Sequence, residues 1–132
     1  MPKVPIDTPI PPEWAYSQAV RAGDFIFLSG QGPWDFGARR LQGGEIAAQT
    51  TLTLENVRLV LESAGATLDD IVKTTVYLAR LDDFAAFNAA YAAVLPDPKP
   101  ARTTAGGVEL AGNLVEIDVV AYVGPTPETR RR

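Results

Sequence analysis

The stretch from Leu114 to Val123 constrains the fold most, because a strand built from it is largely apolar on both sides. Alternation puts Val115, Ile117, Val119, Ala121 and Val123 on one side and Leu114, Glu116, Asp118, Val120 and Tyr122 on the other. Such a strand belongs in a sheet covered on both faces. Glu116 is the exception within the run. An acid held among apolar neighbours either finds a partner or shifts its pKa upward, and a pocket carboxylate of that kind is a usual general acid or base. Arg102, at the start of what reads as the preceding strand, is its natural partner. Asp118 on the same face would raise the pKa of Glu116 and Arg102 would lower it; the residues alone leave both open.

With 132 residues, the chain 1–132 reads as a single domain. It contains no Cys and no His, which removes disulfides, thiolate and imidazole metal sites, cysteine nucleophiles and Ser-His-Asp triads. Carboxylate, tyrosine, lysine and water remain for proton transfer, and no cofactor or metal is expected. The net charge is -4, and three of the basic residues are Arg130, Arg131 and Arg132, in a segment 125–132 expected to be a flexible tail. Nucleic-acid binding is therefore not expected. Residues 1–12 form a proline-rich arm without the apolar core of a signal peptide, and no stretch is long enough to span a bilayer, so a cytoplasmic protein is expected.

The pattern predicts ββαβαββ, an α+β fold. Tyr16–Arg21 and Phe25–Ser29 read as a hairpin around Ala22-Gly23-Asp24 that delivers Ser29 and Gly30 to its end. Pro33–Gly44 reads as a loop or irregular ribbon. Ile46, Thr50, Leu54, Val57, Leu61 and Ala64 recur at helical spacing, with Gly65 as the stop. Ile71–Leu81 reads as a strand alternating Val72, Thr74, Val76 and Leu78 against Lys73, Thr75 and Tyr77. Asp82 or Asp83 is expected to cap a second helix bearing Phe84, Phe87, Asn88, Tyr91, Val94 and Leu95 on one side. Arg102–Leu110 and Leu114–Val123 are expected to close the chain as a second hairpin. Two helices cover only one face of this sheet, so the other is expected to meet another subunit.

Taken in order, several segments make the chain resemble the RidA (YjgF/YER057c/UK114) family of enamine and imine deaminases. They are Tyr16-Ser17-Gln18-Ala19-Val20, Leu28-Ser29-Gly30-Gln31, Asn56, Asp70–Leu78, Asp83–Tyr91, Pro100-Ala101-Arg102-Thr103-Thr104 and Val115-Glu116-Ile117-Asp118. The resemblance spans Trp14 to Val123. It implies a chorismate mutase-like mixed sheet with two helices on one face, assembled as a homotrimer with clefts between subunits, each binding a small 2-imino or 2-keto acid. It further implies that Arg102 holds the substrate carboxylate, that Glu116 activates the water, and that Tyr16, Ser29, Gly30, Asn88 and Thr104 line the cleft, Tyr16 coming from the neighbouring subunit. Thr104 stands where a cysteine is common in the family, in a role carried by the backbone carbonyl. Trp14-Ala15 replaces the usual Gly-Pro, the Trp34-Asp35-Phe36 loop is bulkier, and the 111–113 turn is shorter than is typical.

The chemistry suits these residue types. A guanidinium grips a carboxylate bidentately and stays charged, while one acid with a pKa moved toward neutrality can shuttle protons in imine hydrolysis. By residue type alone, Arg102 with Glu116 is more often a structural ion pair. Ser29 can be a strand-end turn residue, Asn88 a backbone bridge, and Tyr16, Phe84 and Tyr91 core. The alternatives are a pathway-specific deaminase of a larger enamine of the aminomuconate or aminoacrylate type, a non-catalytic carboxylate-binding or chaperone-like trimer, and a ribonuclease. The lack of histidine and of a basic face argues against the last.

Overall fold

The computed structural model describes residues 3–8, 14–38, 40–41 and 43–125. The rest of the expected proline arm and the tail from 126 onward lie outside the described residues. The helical spacing from residue 46 produces α1, Ile46–Ser63, which buries Ile46, Leu54, Val57, Val60 and Leu61. Gly65 follows at φ +78°, a left-handed position where a Cβ is strained, and so ends the helix. The second helix, α2, Phe84–Val94, buries Phe87 and Tyr91, with Leu95 buried just beyond its end.

Both helices pack on one face of a mixed sheet. Its strands are β1, Val4–Pro5; β2, Ala19–Ala22; β3, Phe25–Leu28; β6, Ile71–Leu78; β7, Ala101–Ala105; and β8, Val115–Tyr122. A separate two-stranded ribbon pairs β4, Trp34–Asp35, with β5, Arg40–Leu41. The six-stranded order is β1-β2-β3-β8-β6-β7, antiparallel except for the parallel pair β6 and β7. β1 adds an edge strand within the expected arm, and Pro5 is tolerated there because an edge leaves one side without a ladder partner. The hairpin of β2 and β3 turns at Gly23, with φ +60°, as the pattern indicated.

The second expected hairpin does not form. β7 pairs with β6, and β8 inserts between β3 and β6. The physical reason is α2: a helix between two strands carries the chain back to the end where it started, so β6-α2-β7 is a βαβ unit and its strands run parallel. Three smaller expectations also change. The pairing slips between Ile71 and Lys73, and this bulge leaves Val72 45% exposed while Ile71, at 5%, takes its place in the core. Phe84 is exposed rather than core. Asp83 occupies the N-cap position of α2 but makes no side-chain cap, because Leu81–Asp83 is already a 3-10 turn bonded through its backbone.

On the helix side, Val115, Ile117, Val119 and Ala121 of β8 pack with Thr74, Val76 and Leu78 of β6 beneath Phe87, Leu54 and Val57. Phe25, Phe27 and Tyr122 stand half-exposed on the opposite face, with Phe25 and Tyr122 in an edge contact at 5.2 Å. The core depends on complete burial at its centre. Leu54→Ala, at a position with no exposure, is expected to cost about 2–5 kcal/mol from lost burial and the cavity left behind. Chemical denaturation of the two proteins measures it.

Candidate functional site

The alternation of β8 turns Glu116 away from the helices, opposite Tyr77 of β6 in the cross-strand register. Asp118, opposite Thr75, lies on the same face. Glu116 is half-buried, and its pKa is raised above 4.5 first by burial and then by the charge of Asp118. Tyr77 is raised as well, chiefly by Asp118 and less by Glu116. The ambiguity left by the sequence resolves within one chain: the influences on Glu116 are upward, and Arg102 is not among them.

Gly30 lies directly against this acid. A Cβ built on it would stand 2.5 Å from Glu116 Oε2 and 2.7 Å from Cδ. Its backbone is not in the left-handed region, so the glycine serves close approach rather than a turn. Gln31 then pairs with Ile117 by two backbone hydrogen bonds of 2.8 and 2.9 Å, which hold the Gly30 backbone over β8. Ser29 donates its hydroxyl to the Ser17 carbonyl at 2.6 Å and so fastens the segment that carries Tyr16. Tyr16, Trp34, Tyr77, Asn113 and Glu116 line a common cleft of about 760 Å³. Within one chain, Tyr16 therefore lies in the same groove as Glu116.

Arg102 is elsewhere. Its register partner on β6 is Thr74, which is fully buried on the helix side, and its side chain lies against α2. Nη1 donates to Asn88 Oδ1 at 2.8 Å, and the guanidinium carbon lies 4.8 Å from the centre of the Tyr91 ring, 5.4 Å from Phe87 and 5.5 Å from Phe84. Tyr91 is itself fixed by a buried 2.7 Å hydrogen bond to Thr74. Thr104, two residues along β7, shares this face and is half-buried.

The sequence-derived residues therefore form two groups. Glu116, Gly30, Ser29 and Tyr16 are on or beside one face; Arg102, Asn88 and Thr104 are on the other. Two inter-strand steps and a three-residue offset along the strand put the Cα atoms of Arg102 and Glu116 roughly 14 Å apart, with side chains pointing in opposite directions. The expected ion pair between adjacent strands is thereby corrected: β6 separates them. Tyr77 and Trp34 were not singled out as site residues by the sequence. Tyr77 was legible as the face opposite Thr74 and Val76, but its meeting with Glu116 required the β6–β8 register. Asn56, buried in α1, donates to the carbonyls of Gly32 at 2.9 Å and Trp34 at 2.7 Å and so hangs the Trp34 ribbon on the helix. Among the described residues there is no cluster of metal-binding side chains, and no helix is long and apolar enough to cross a membrane.

Gly30→Ala tests the niche. The added methyl must push the Glu116 carboxylate toward water, so its titration midpoint is expected to fall toward 4.5 while the fold is retained. Carboxyl-carbon NMR titration of wild type and variant reads this directly.

The chain matches the family described as Endoribonuclease L-PSP over residues 7–123. It is 46% identical over 110 residues to the mitochondrial protein mmf2 of Schizosaccharomyces pombe, covering 80% of this chain and 86% of that one. It is 34% identical over 125 residues to the 2-iminobutanoate/2-iminopropanoate deaminase of Dermatophagoides farinae, covering 92% and 98%. Among solved structures it is similar to RidA from a Psychrobacter species, at 36% identity and a TM-score of 0.82 over 89% of this chain and 98% of that one. It is also similar to E. coli TdcF with bound serine, at 28% identity and a TM-score of 0.81 over 89% and 97%. A mitochondrial relative means that family membership does not carry the cytoplasmic expectation. With the same mixed sheet, the same two helices on one face and a match across nearly its whole described length, the chain belongs to the RidA (YjgF/YER057c/UK114) family.

Proposed function

We propose that this protein hydrolyses 2-imino and 2-enamino acids to 2-keto acids and ammonia, in clefts shared between the subunits of a homotrimer. The observation that carries the reading is the separation of Glu116 and Arg102 on opposite faces of one sheet. A small imino acid cannot reach both in a single chain. A neighbouring copy that lays its β7-α2 edge against the Glu116 cleft brings a guanidinium to the acid and covers the outer sheet face. The half-exposed Phe25, Phe27 and Tyr122 supply an apolar surface suited to that contact. The deaminase named for the mite relative and the serine held by TdcF support a small amino-acid-like ligand.

In this reading the guanidinium of Arg102, oriented by Asn88 and the three rings, grips the substrate carboxylate and takes no part in proton transfer. Glu116, a stronger base than a free carboxylate because burial and Asp118 raise its pKa, accepts a proton from water as the oxygen attacks the imine carbon. Glu116 returns that proton to the imine nitrogen, giving a carbinolamine. The hydroxyl proton then passes through Glu116 to the amino nitrogen, which leaves as ammonia as the C–N bond breaks and the carbonyl forms. One water is consumed per turnover and no electrons are exchanged, so no redox partner is required. Gly30, Ser29 and Tyr16 shape the acid's side of the cleft, with Thr104 beside Arg102 on the other. RNA cleavage fits less well, because the cleft's carboxylates would repel a phosphate backbone and the chain has no histidine.

Arg102→Lys and Glu116→Gln are each expected to lower imine hydrolysis by about 10²-fold or more while retaining the fold. The decisive measurement mixes them. In trimers refolded from equal amounts of the two variants, three-quarters contain both kinds of chain and each of those has one intact cleft of three. About a quarter of the wild-type rate should therefore return. A mixture as inactive as its parents would rule out the shared cleft.

The acid limb of kcat, which reports the loaded cleft, follows Glu116 acting as a base, so activity rises with pH through a midpoint raised by burial and by Asp118. Asp118→Asn removes the second upward influence and is expected to move that midpoint to lower pH. An unmoved midpoint would assign the limb to another group.

A further inference from the structure

The acid's side of the cleft carries more aromatic surface than the smallest imino acids need. We infer that the substrates of this protein carry a bulky apolar side chain, as in the imines of aromatic and branched amino acids, and that imines with a second carboxylate are rejected. The inference rests on the deaminase reading and specifies its substrate class.

Three observations carry it. First, the groove that one chain brings to the shared cleft measures about 760 Å³ before a second copy covers part of it. Second, its wall combines Trp14, Trp34, Tyr16 and Tyr77 with Leu41 and Leu110. Trp14 and Leu41 are respectively 79% and 45% exposed in the chain, so a bound apolar group would cover surface that water now meets. Third, among the described residues the lining contains two carboxylates, Glu109 and Glu116, and no lysine or arginine. The guanidinium of Arg102 lies on the opposite face of its own chain, so the Arg102 that a second copy brings is engaged by the substrate's α-carboxylate. A further carboxylate would meet the like charges of Glu109 and Glu116.

The loops that make this wall are built as fixed surfaces. Asn56 holds the backbone on either side of Pro33 by two hydrogen bonds, which sets the Trp34 ribbon against α1. Glu109 accepts from the Ala111 amide at 3.1 Å and closes the turn opposite. A substrate reacting at Glu116 would have the Trp34 ribbon and the 108–113 turn as the walls available to its side chain.

The test generates imines in the assay by oxidation of phenylalanine, leucine, alanine and aspartate, and compares kcat/KM for their hydrolysis by the wild-type protein. The phenylalanine and leucine imines are expected to exceed the alanine imine by about tenfold or more, and the aspartate imine to fall about 100-fold below it. Trp34→Ala should bring the phenylalanine-to-alanine ratio toward one. Trp14→Ala, at a position too exposed to affect the core, should lower the same ratio if the Trp34 variant fails to fold. Turnover of the alanine imine equal to or above that of the phenylalanine imine overturns this inference and leaves the deaminase reading intact. If no imine is turned over, the deaminase reading fails, and titration calorimetry with phenylpyruvate, pyruvate and oxaloacetate still decides the pocket. Phenylpyruvate binding no tighter than pyruvate would overturn the inference there too.

Discussion

The period of two along a β-strand governs everything that this fold can do with its polar residues. Arg102 is in register with Thr74 and Glu116 with Tyr77, and because those β6 positions differ by an odd number, the two functional groups point to opposite faces. A one-residue slip of β7 would carry Arg102 to the face of Glu116 and expose its aromatic bed on α2. Burial of Thr74 and Tyr91 in a shared hydrogen bond works against that slip, since Arg102 stacks on Tyr91. The register that stabilises the monomer is thus the one that divides the site.

That division also sets the electrostatics. Among the described residues of the isolated chain, burial and Asp118 raise Glu116, and no cation opposes them. On the proposed assembly, a guanidinium from the neighbouring copy would act downward, and a substrate carboxylate bound to that guanidinium would cancel much of its charge. The acid is then closest to its raised state when the cleft is loaded. A general base gains from this order of events, because proton affinity is highest when the water is in place.

How much of this was legible in the sequence depends on whether the deciding contact is local. The spacing from Ile46 to Leu61 gave α1 and its buried stripe directly, and Gly65 gave its end. The β2–β3 hairpin followed from Gly23 and its flanking alternation. The pairing of β7 is non-local; the signal was present in the order strand, helix, strand, which favours parallel pairing, but the turn formers at Gly112 suggested a hairpin instead. The bulge that exchanges Val72 for Ile71 depends on β8 and leaves no trace in a run of β-branched residues. Arg102, Glu116 and Gly30 were identified as individual residues, yet their distribution over two faces required the register, and Gly30's closeness to the carboxylate required coordinates.

The cleft wall shows why substrate choice can change without disturbing the sheet. Residues 14–17, the Trp34 ribbon and the 108–114 segment have little core of their own, and each is tied down by a side chain from a rigid or neighbouring element. Ser29 fastens the first through the Ser17 carbonyl, and Asn56 the second through Gly32 and Trp34. Gln49, buried in α1, accepts from the Leu114 amide at 2.9 Å and anchors the third where β8 begins. These tethers bond mainly to backbone atoms, so they constrain where the loops run and leave their outward side chains free to vary. Replacing Trp14 or Trp34 alters what the cleft can hold, whereas replacing Ser29, Asn56 or Gln49 would alter whether it keeps its shape. On the proposed reading, specificity and architecture are therefore carried by different residues, and Glu116 keeps its setting through changes on the wall as long as Gly30 and β8 stay in contact.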